Sequence, residues 1–518
     1  MLMKLLVDPA AILAFLFVLL LLLVAALVGL ISPRILPEPC TAVLSILIDR
    51  FLTWKYPIKS EDGSKDLPTC PYRWPNGQGD VGKFLDGIEN SSRWAKSYGT
   101  VYRIWSGTNS EVVLTRPEQL QAIFHDSDKH YKAVNNDSGF LMGQLLGECV
   151  GLISPPQWQN VRSVTEGPFR HHETMLRVGK VDEFVREYFH QLERGQNMRQ
   201  GLLHPANDLK MLPFKVVCYF IYGPLSRQME EVLESLAVIR EDLMKDVIRG
   251  GISRFAFSRY LPLAANRRLS EFKNSWRQFN ENAAQFAAAH HPDSPIVSML
   301  DAVRNGKLSQ EQLLQTLDEA LFANLDVTTG GLSWNPVFLA AYPNCQHWLR
   351  QEIENIPDEA AYHKYLQSQS TYLQACILES SRLRPLAAFS VPQSAPTARI
   401  VDGYVIPAQT SVVVDAYALN VRNPYWGPDN ETYRPERFLD RKNTELRYLF
   451  WRFGFGPRQC MGKYVADVIL RATLAHLVKN FDLSITTDTW ARDKETWITH
   501  PDVLVQCRKR LSENSRGF

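Results

Sequence analysis

The ten residues from Phe453 to Gly462, FGFGPRQCMG, decide the fold of this 518-residue chain. Tyr464, Ala466, Ile469 and Leu470 follow at helical spacing, so Cys460 stands just ahead of a helix N-terminus. A sulfur placed there is favoured as thiolate over thiol by the aligned peptide dipoles. Gly454, Gly456 and Gly462 allow close backbone approach and leave peptide N–H groups free to point at the sulfur. The other seven cysteines, at 40, 70, 149, 218, 345, 376 and 507, read as buried apolar filler.

This stretch resembles the cysteine loop of the cytochrome P450 family, F-x-x-G-x-R-x-C-x-G, whose fixed positions are met by Phe453, Gly456, Arg458, Cys460 and Gly462. A chance match in a chain of this length is on the order of one in ten thousand, so the motif outweighs the other signals. The resemblance implies a predominantly helical α+β fold with small β-sheets around a buried haem (iron protoporphyrin IX). It implies that Cys460 is the axial thiolate, which pushes electron density onto iron and promotes O–O cleavage.

Further motifs follow in the family's order. Trp158 and Arg162 fit W-x-x-x-R, and with Arg458 they are implied to hold the haem propionates. Glu379 and Arg382 fit E-x-x-R on one helix face, and Arg437, in Pro435-Glu436-Arg437-Phe438, is implied to complete a buried charged triad. Gln393 stands where many relatives carry a further propionate-binding arginine. This departure leaves the haem with one charge fewer, or with a compensating cation elsewhere in the chain.

Ser309 and Gln312 form a capping box opening a helix on which Leu313, Leu317, Ala320, Leu321 and Asn324 recur at helical spacing. Poor helix formers then cluster from Asn324 to Gly331, a local rule broken inside an apolar element. The segment resembles the family's oxygen-binding helix, which makes Asp326 the acid that passes protons to reduced oxygen. Val327 replaces the usual alcohol and cannot donate a hydrogen bond. Thr328, turned inward by a local bulge, a substrate hydroxyl or an ordered water takes that role; the competing reading has Thr328 bonding back to its own helix.

Residues 10–31 are an uncharged apolar run of 22, long enough as a helix to cross roughly 30 Å of hydrocarbon. It is longer than a signal-peptide core and ends in Ser32-Pro33-Arg34 rather than a small-x-small cleavage site, so it reads as an uncleaved anchor. Lys4 is outnumbered by Arg34, Arg50, Lys55 and Lys59, which leaves the haem domain facing the cytoplasm, as expected for the endoplasmic reticulum. The domain reading is an anchor at 1–32, a Pro-rich hinge with a membrane-surface or packed helix at 33–66, the haem domain at 67–507 and a polar tail at 508–518. Short β-type runs are expected at 101–105, 111–114, 404–406 and 411–414.

Composition excludes little else. The formal charge of +2 and 45% hydrophobic residues fit an ordinary globular protein and give no lever toward nucleic acid. Scattered cysteines without a CxxC pair argue against a zinc site or disulfide scaffold and fit a reducing compartment. Glycosylation-type triplets at Asn90, Asn136 and Asn430 matter only in the secretory lumen.

The function implied is a monooxygenase that oxidises an apolar small molecule with dioxygen and electrons from an NADPH-dependent flavoprotein reductase. In flavour the chain is similar to fungal members that tailor secondary metabolites, including dipeptide-derived ones. Two alternatives remain: coupling, cyclisation or desaturation without oxygen insertion, favoured by Val327, and a non-catalytic haem-binding sensor. Arg452, Lys463 and Arg471 are candidates for a face that docks the electron partner, and residues 129–153 and 205–260 for the substrate pocket.

Overall fold

β-Branched runs bounded by turn residues form the expected short strands. In this computed structural model, which describes Val24 and residues 38–132, 139–439, 441, 444–485, 490–494 and 496–510, β1 (Val101–Ser106) and β2 (Asn109–Leu114) make an antiparallel hairpin. Its two-residue turn places Gly107 at φ 59°, where a Cβ would be strained. Further along the chain come β3 (Leu202–Leu203), β4 (Gln393–Ser394), β5 (Arg399–Val401), β6 (Tyr404–Ile406), β7 (Ser411–Val414), β8 (Phe481–Ser484) and β9 (Val505–Lys509). They assemble as β1-β2-β7-β4, β3-β9-β8 and β5-β6, with β2 and β7 parallel.

These sheets flank a helical body. The helices that bear on function are α1 (Glu38–Lys55), α2 (Gln157–Thr165), α3 (Gln310–Ala323), α4 (Thr329–Ala341), α5 (Tyr372–Leu383) and α6 (Lys463–Asn480). Ser309 Oγ accepts from the Gln312 N–H and Gln312 Oε1 from the Ser309 N–H, each at 3.0 Å, so α3 opens on the expected capping box. At Asn324 the helical ladder widens into a π-turn, Asn324–Thr328, before resuming as α4. Pro336 cannot donate to the Leu332 carbonyl, and the Asn335 side chain supplies that carbonyl with a donor at 3.3 Å. Leu321, Leu325, Leu332 and Val337 from this element pack with Val217 and Phe220 and with Val468 and Leu474 of α6 in one continuous core.

α1 docks on this body through Asp49, whose Oδ1 accepts from the Tyr72 N–H at 2.8 Å and the Trp105 indole at 3.2 Å. Leu52 is buried beneath it, while Ile46, Leu47, Phe51 and Trp54 face out. Among the described residues no helix is long and apolar enough to cross a membrane. The run assigned to the anchor, 10–31, lies outside the described residues apart from Val24, as do the Asn136 triplet and most of the polar tail. Asn90 is buried, its Nδ2 donating to the Gly82 carbonyl at 2.8 Å, so it is no glycan acceptor in this fold.

Candidate active site

The cysteine loop folds as its glycines require. Gly456 has φ 66°, and a Cβ there would lie 2.2 Å from Ser127 Oγ. The Cys460 N–H donates to the Phe453 carbonyl at 2.9 Å, closing the loop, and α6 starts three residues on. Cys460 opens into a mostly apolar cavity of about 450 Å³, also bordered by Phe453, Gly454 and Gly462. Burial pushes its thiol up, while the Gly462 N–H and the charges of Arg162 and Lys463 pull the other way. A thiolate at this depth goes with a bound metal cation.

A polar arc borders the same cavity: Trp158, Arg162, Arg458, Lys132 and Gln393. Arg458 donates to the carbonyls of His130 at 3.0 Å and Ile153 at 2.5 Å and stacks 4.9 Å over Trp158. Arg162 donates to Glu166 at 2.7 Å and to the Gln459 carbonyl at 3.2 Å. Burial, and secondarily Arg162, lowers Arg458 to about 10. Burial, and then Arg458, lowers Lys132 to about 8. Gln393 Oε1 is buried without a hydrogen-bond partner among the described residues. Three cations crowd one wall; burial is the main cause of both depressions, and Glu319, which borders the same cavity, offsets them only in part.

On the other helix the structure separates the two candidate catalytic residues. Thr328 borders the cavity with Val327, but its hydroxyl donates to Asn324 Oδ1 at 2.6 Å. The Asn324 amide is oriented in turn, its Nδ2 donating to the carbonyls of Ala320 at 2.5 Å and Leu321 at 3.2 Å. The bulge and the local bond of Thr328 therefore coexist. Asp326 is not in the cavity wall; its Oδ2 accepts from the Trp497 indole N–H at 2.8 Å.

Glu379, Arg382 and Arg437 meet as a wholly buried cluster. Arg382 is bidentate to Glu379 at 2.7 and 2.8 Å, and Arg437 Nε reaches Glu379 Oε1 at 3.3 Å. The docking candidates fare differently. Arg471 is 1% exposed, donating to the Ser368 carbonyl at 2.8 Å, because α6 is buried on nearly every side. Arg452 is spent on Asp467 at 2.6 Å and stacks over Phe453. Of the three only Lys463 remains near the surface, bonded to Gln459 at 2.6 Å.

The sequence matches the cytochrome P450 family profile over residues 81–508. The chain belongs to the cytochrome P450 family. It is 54% identical to cytochrome P450 monooxygenase aclC of Aspergillus oryzae over 90% of this chain and 96% of that protein. It is 52% identical to cytochrome P450 monooxygenase asaD of Aspergillus flavus, with 90% and 91% covered. Cytochrome P450 monooxygenase gliC of Aspergillus fumigatus is 42% identical, with 90% and 93% covered. This P450 is thus an oxidoreductase, and the family implies haem-thiolate iron.

The residues present fit that group. A single cavity brings together one accessible sulfur, loop glycines whose added Cβ at 454 or 462 would meet no protein atom within 4 Å, and a cation-rich wall suited to two propionates. Sequence reasoning placed Lys132 only inside the pocket stretch 129–153, without a role of its own, and missed the roles of Asn324 and Trp497. Lys132 and Trp497 sit in loops without a motif. Asn324 carried a signal, a helix-breaking amide four residues before Thr328, where a helical side chain is in reach.

Proposed function

We propose that this P450 is a membrane-anchored monooxygenase that inserts oxygen from dioxygen into an apolar small molecule, a secondary-metabolite intermediate, using electrons from NADPH through a flavoprotein reductase. The observation that carries the reading is one apolar-walled cavity bordered by both the Cys460 sulfur and the π-turn of Asn324–Thr328. Bound there, haem iron ligated by Cys460 supplies the activation of dioxygen.

The chain's own residues supply binding, orientation and protons. Trp158, Arg162 and Arg458 hold the propionates, and Lys132 is the cation that makes up for Gln393, whose amide remains as a neutral partner. Lys132→Leu is expected to release haem to apomyoglobin about tenfold faster than wild type, the cost of one charge-assisted hydrogen bond. An unchanged rate would remove Lys132 from the cradle. Asp326 relays solvent protons inward, while Val327 and Ala323 keep the wall apolar. Thr328, its proton engaged by Asn324, is left with acceptor capacity and orients a water rather than donating.

The anchor is assigned to residues 10–31, with the haem domain on the cytoplasmic face of the endoplasmic reticulum. The outward apolar row of α1, Ile46, Leu47, Phe51 and Trp54, supports a resting place at the lipid surface close after that run.

The hydroxyl-free Val327 and the engaged Thr328 favour one second reading, oxidation with coupling or desaturation and no oxygen transfer. Labelled dioxygen separates the two. With any compound that stimulates NADPH consumption by the membrane-bound enzyme and its reductase, insertion predicts one labelled oxygen in the product; an unlabelled oxidised product contradicts it.

A further inference from the structure

We propose that Trp497 is a positioning residue that holds Asp326 turned out of the cavity and releases it when a molecule fills the cavity against the indole, so that proton delivery waits on occupancy. The inference rests on the monooxygenase reading and deepens it.

Residues 496–500 form a strap across the π-turn. The Trp334 indole donates to the Thr499 carbonyl at 2.9 Å, and the Thr499 N–H donates to the Leu386 carbonyl at 3.0 Å. His500 Nε2 lies 2.9 Å from the Asp326 carbonyl; a carbonyl only accepts, so this nitrogen carries the ring proton. Burial lowers the pKa of His500, which favours that neutral form. The strap lies so close that a Cβ on Gly330 would come 2.5 Å from Ile498 Cγ2, which explains a glycine inside α4. Ile498, Thr499 and His500 are buried and fixed by these contacts.

Trp497 and Ile498 are the parts of the strap that border the cavity, and Trp497 is the less buried of the two. It is half-buried, it borders the cavity, and it meets Phe84, another cavity residue, edge-on at 6.1 Å. Its N–H is at the same time the donor to Asp326 Oδ2. A bond from an N–H to a carboxylate is charge-assisted, and it ties the Asp326 side chain to the strap and out of the cavity wall formed by Val327 and Thr328. A molecule wedged against Trp497 and Phe84 shifts the indole, breaks that bond and frees Asp326 to rotate toward the cavity. One side chain thereby touches both the ligand space and the proton donor, and the physical coupling is a single hydrogen bond.

The test uses the full-length haem-loaded enzyme in membranes with its reductase and no added compound. The reaction followed is NADPH + H⁺ + O2 giving NADP⁺ + H2O2, in which NADPH supplies two electrons and one proton and solvent the other proton. Trp497→Phe is expected to raise peroxide formation about tenfold, the loss of a charge-assisted hydrogen bond. In an Asp326→Asn background the same substitution is expected to change nothing, because the effect runs through that carboxylate. A wild-type rate in Trp497→Phe, or a rise that persists without Asp326, overturns the proposal.

If Trp497→Phe fails to retain haem, the wild-type enzyme still decides. Binding of 4-phenylimidazole is expected to quicken backbone hydrogen exchange at 496–498 and leave 499–500 unchanged, and unchanged exchange throughout overturns the proposal. A wild-type enzyme without a thiolate-type spectrum or NADPH consumption overturns the monooxygenase reading itself, a result separate from either of these.

Discussion

Glu379→Ala is expected to cost about 3–5 kcal/mol of folding stability and to leave most of the expressed chain without haem. Glu379 is fully buried and accepts from Arg382 twice, from Arg437 and from the Arg434 N–H at 3.0 Å. Its removal leaves the Arg382 guanidinium in the core without a carboxylate, whereas Arg437 keeps Asp429 at 2.8 Å, and the unpaired charge rather than the lost contacts sets the magnitude. The damage has a route to the metal site. Arg382 also donates to the Asn420 carbonyl at 3.0 Å, and the Asn420 side chain is paired with the Trp451 backbone by two bonds of 2.8 Å. Trp451 lies two residues before Phe453, so the triad braces the start of the cysteine loop. Glu379→Gln, which keeps an acceptor oxygen, is expected to lose less. Urea midpoints and the haem-to-protein ratio of the purified variants measure both effects; an alanine variant with the wild-type midpoint would remove the triad from the account.

Much of this was legible in the sequence because the chemistry demands particular residues at particular spacings. A thiolate loop needs Cys460 among glycines, the capping box announces α3, and β-branched runs between turns give β1, β2, β6 and β7. Glu379, Arg382 and Arg437 were found by order along the chain, and they meet because α5 and the short 3-10 turn Pro435–Phe438 pack together. What stayed hidden depends on contacts between distant segments. The outward aim of Asp326 is set by Trp497, 171 residues away, and no local pattern encodes it. Lys132 looks like any loop lysine until the fold sets it against Arg458. Arg471 read as a surface charge, but the fold buries it, with the Ser368 carbonyl accepting from its guanidinium and the charge of Asp467 offsetting part of the cost of burial.

Cys460→Ser carries the other large effect. Burial already pushes the cysteine thiol up, and an alcohol, less acidic still, keeps its proton in the same place, so the variant offers iron no anionic ligand. Loss of the thiolate removes the electron push on which dioxygen cleavage depends, and NADPH-driven product formation is expected to vanish while the fold persists. The most direct test is the optical spectrum of the reduced protein with carbon monoxide, recorded for wild type and Cys460→Ser at matched haem content. The account predicts a strongly red-shifted Soret band in wild type that is absent from the variant. A histidine-type band in wild type, or a red-shifted band that survives the substitution, would contradict it.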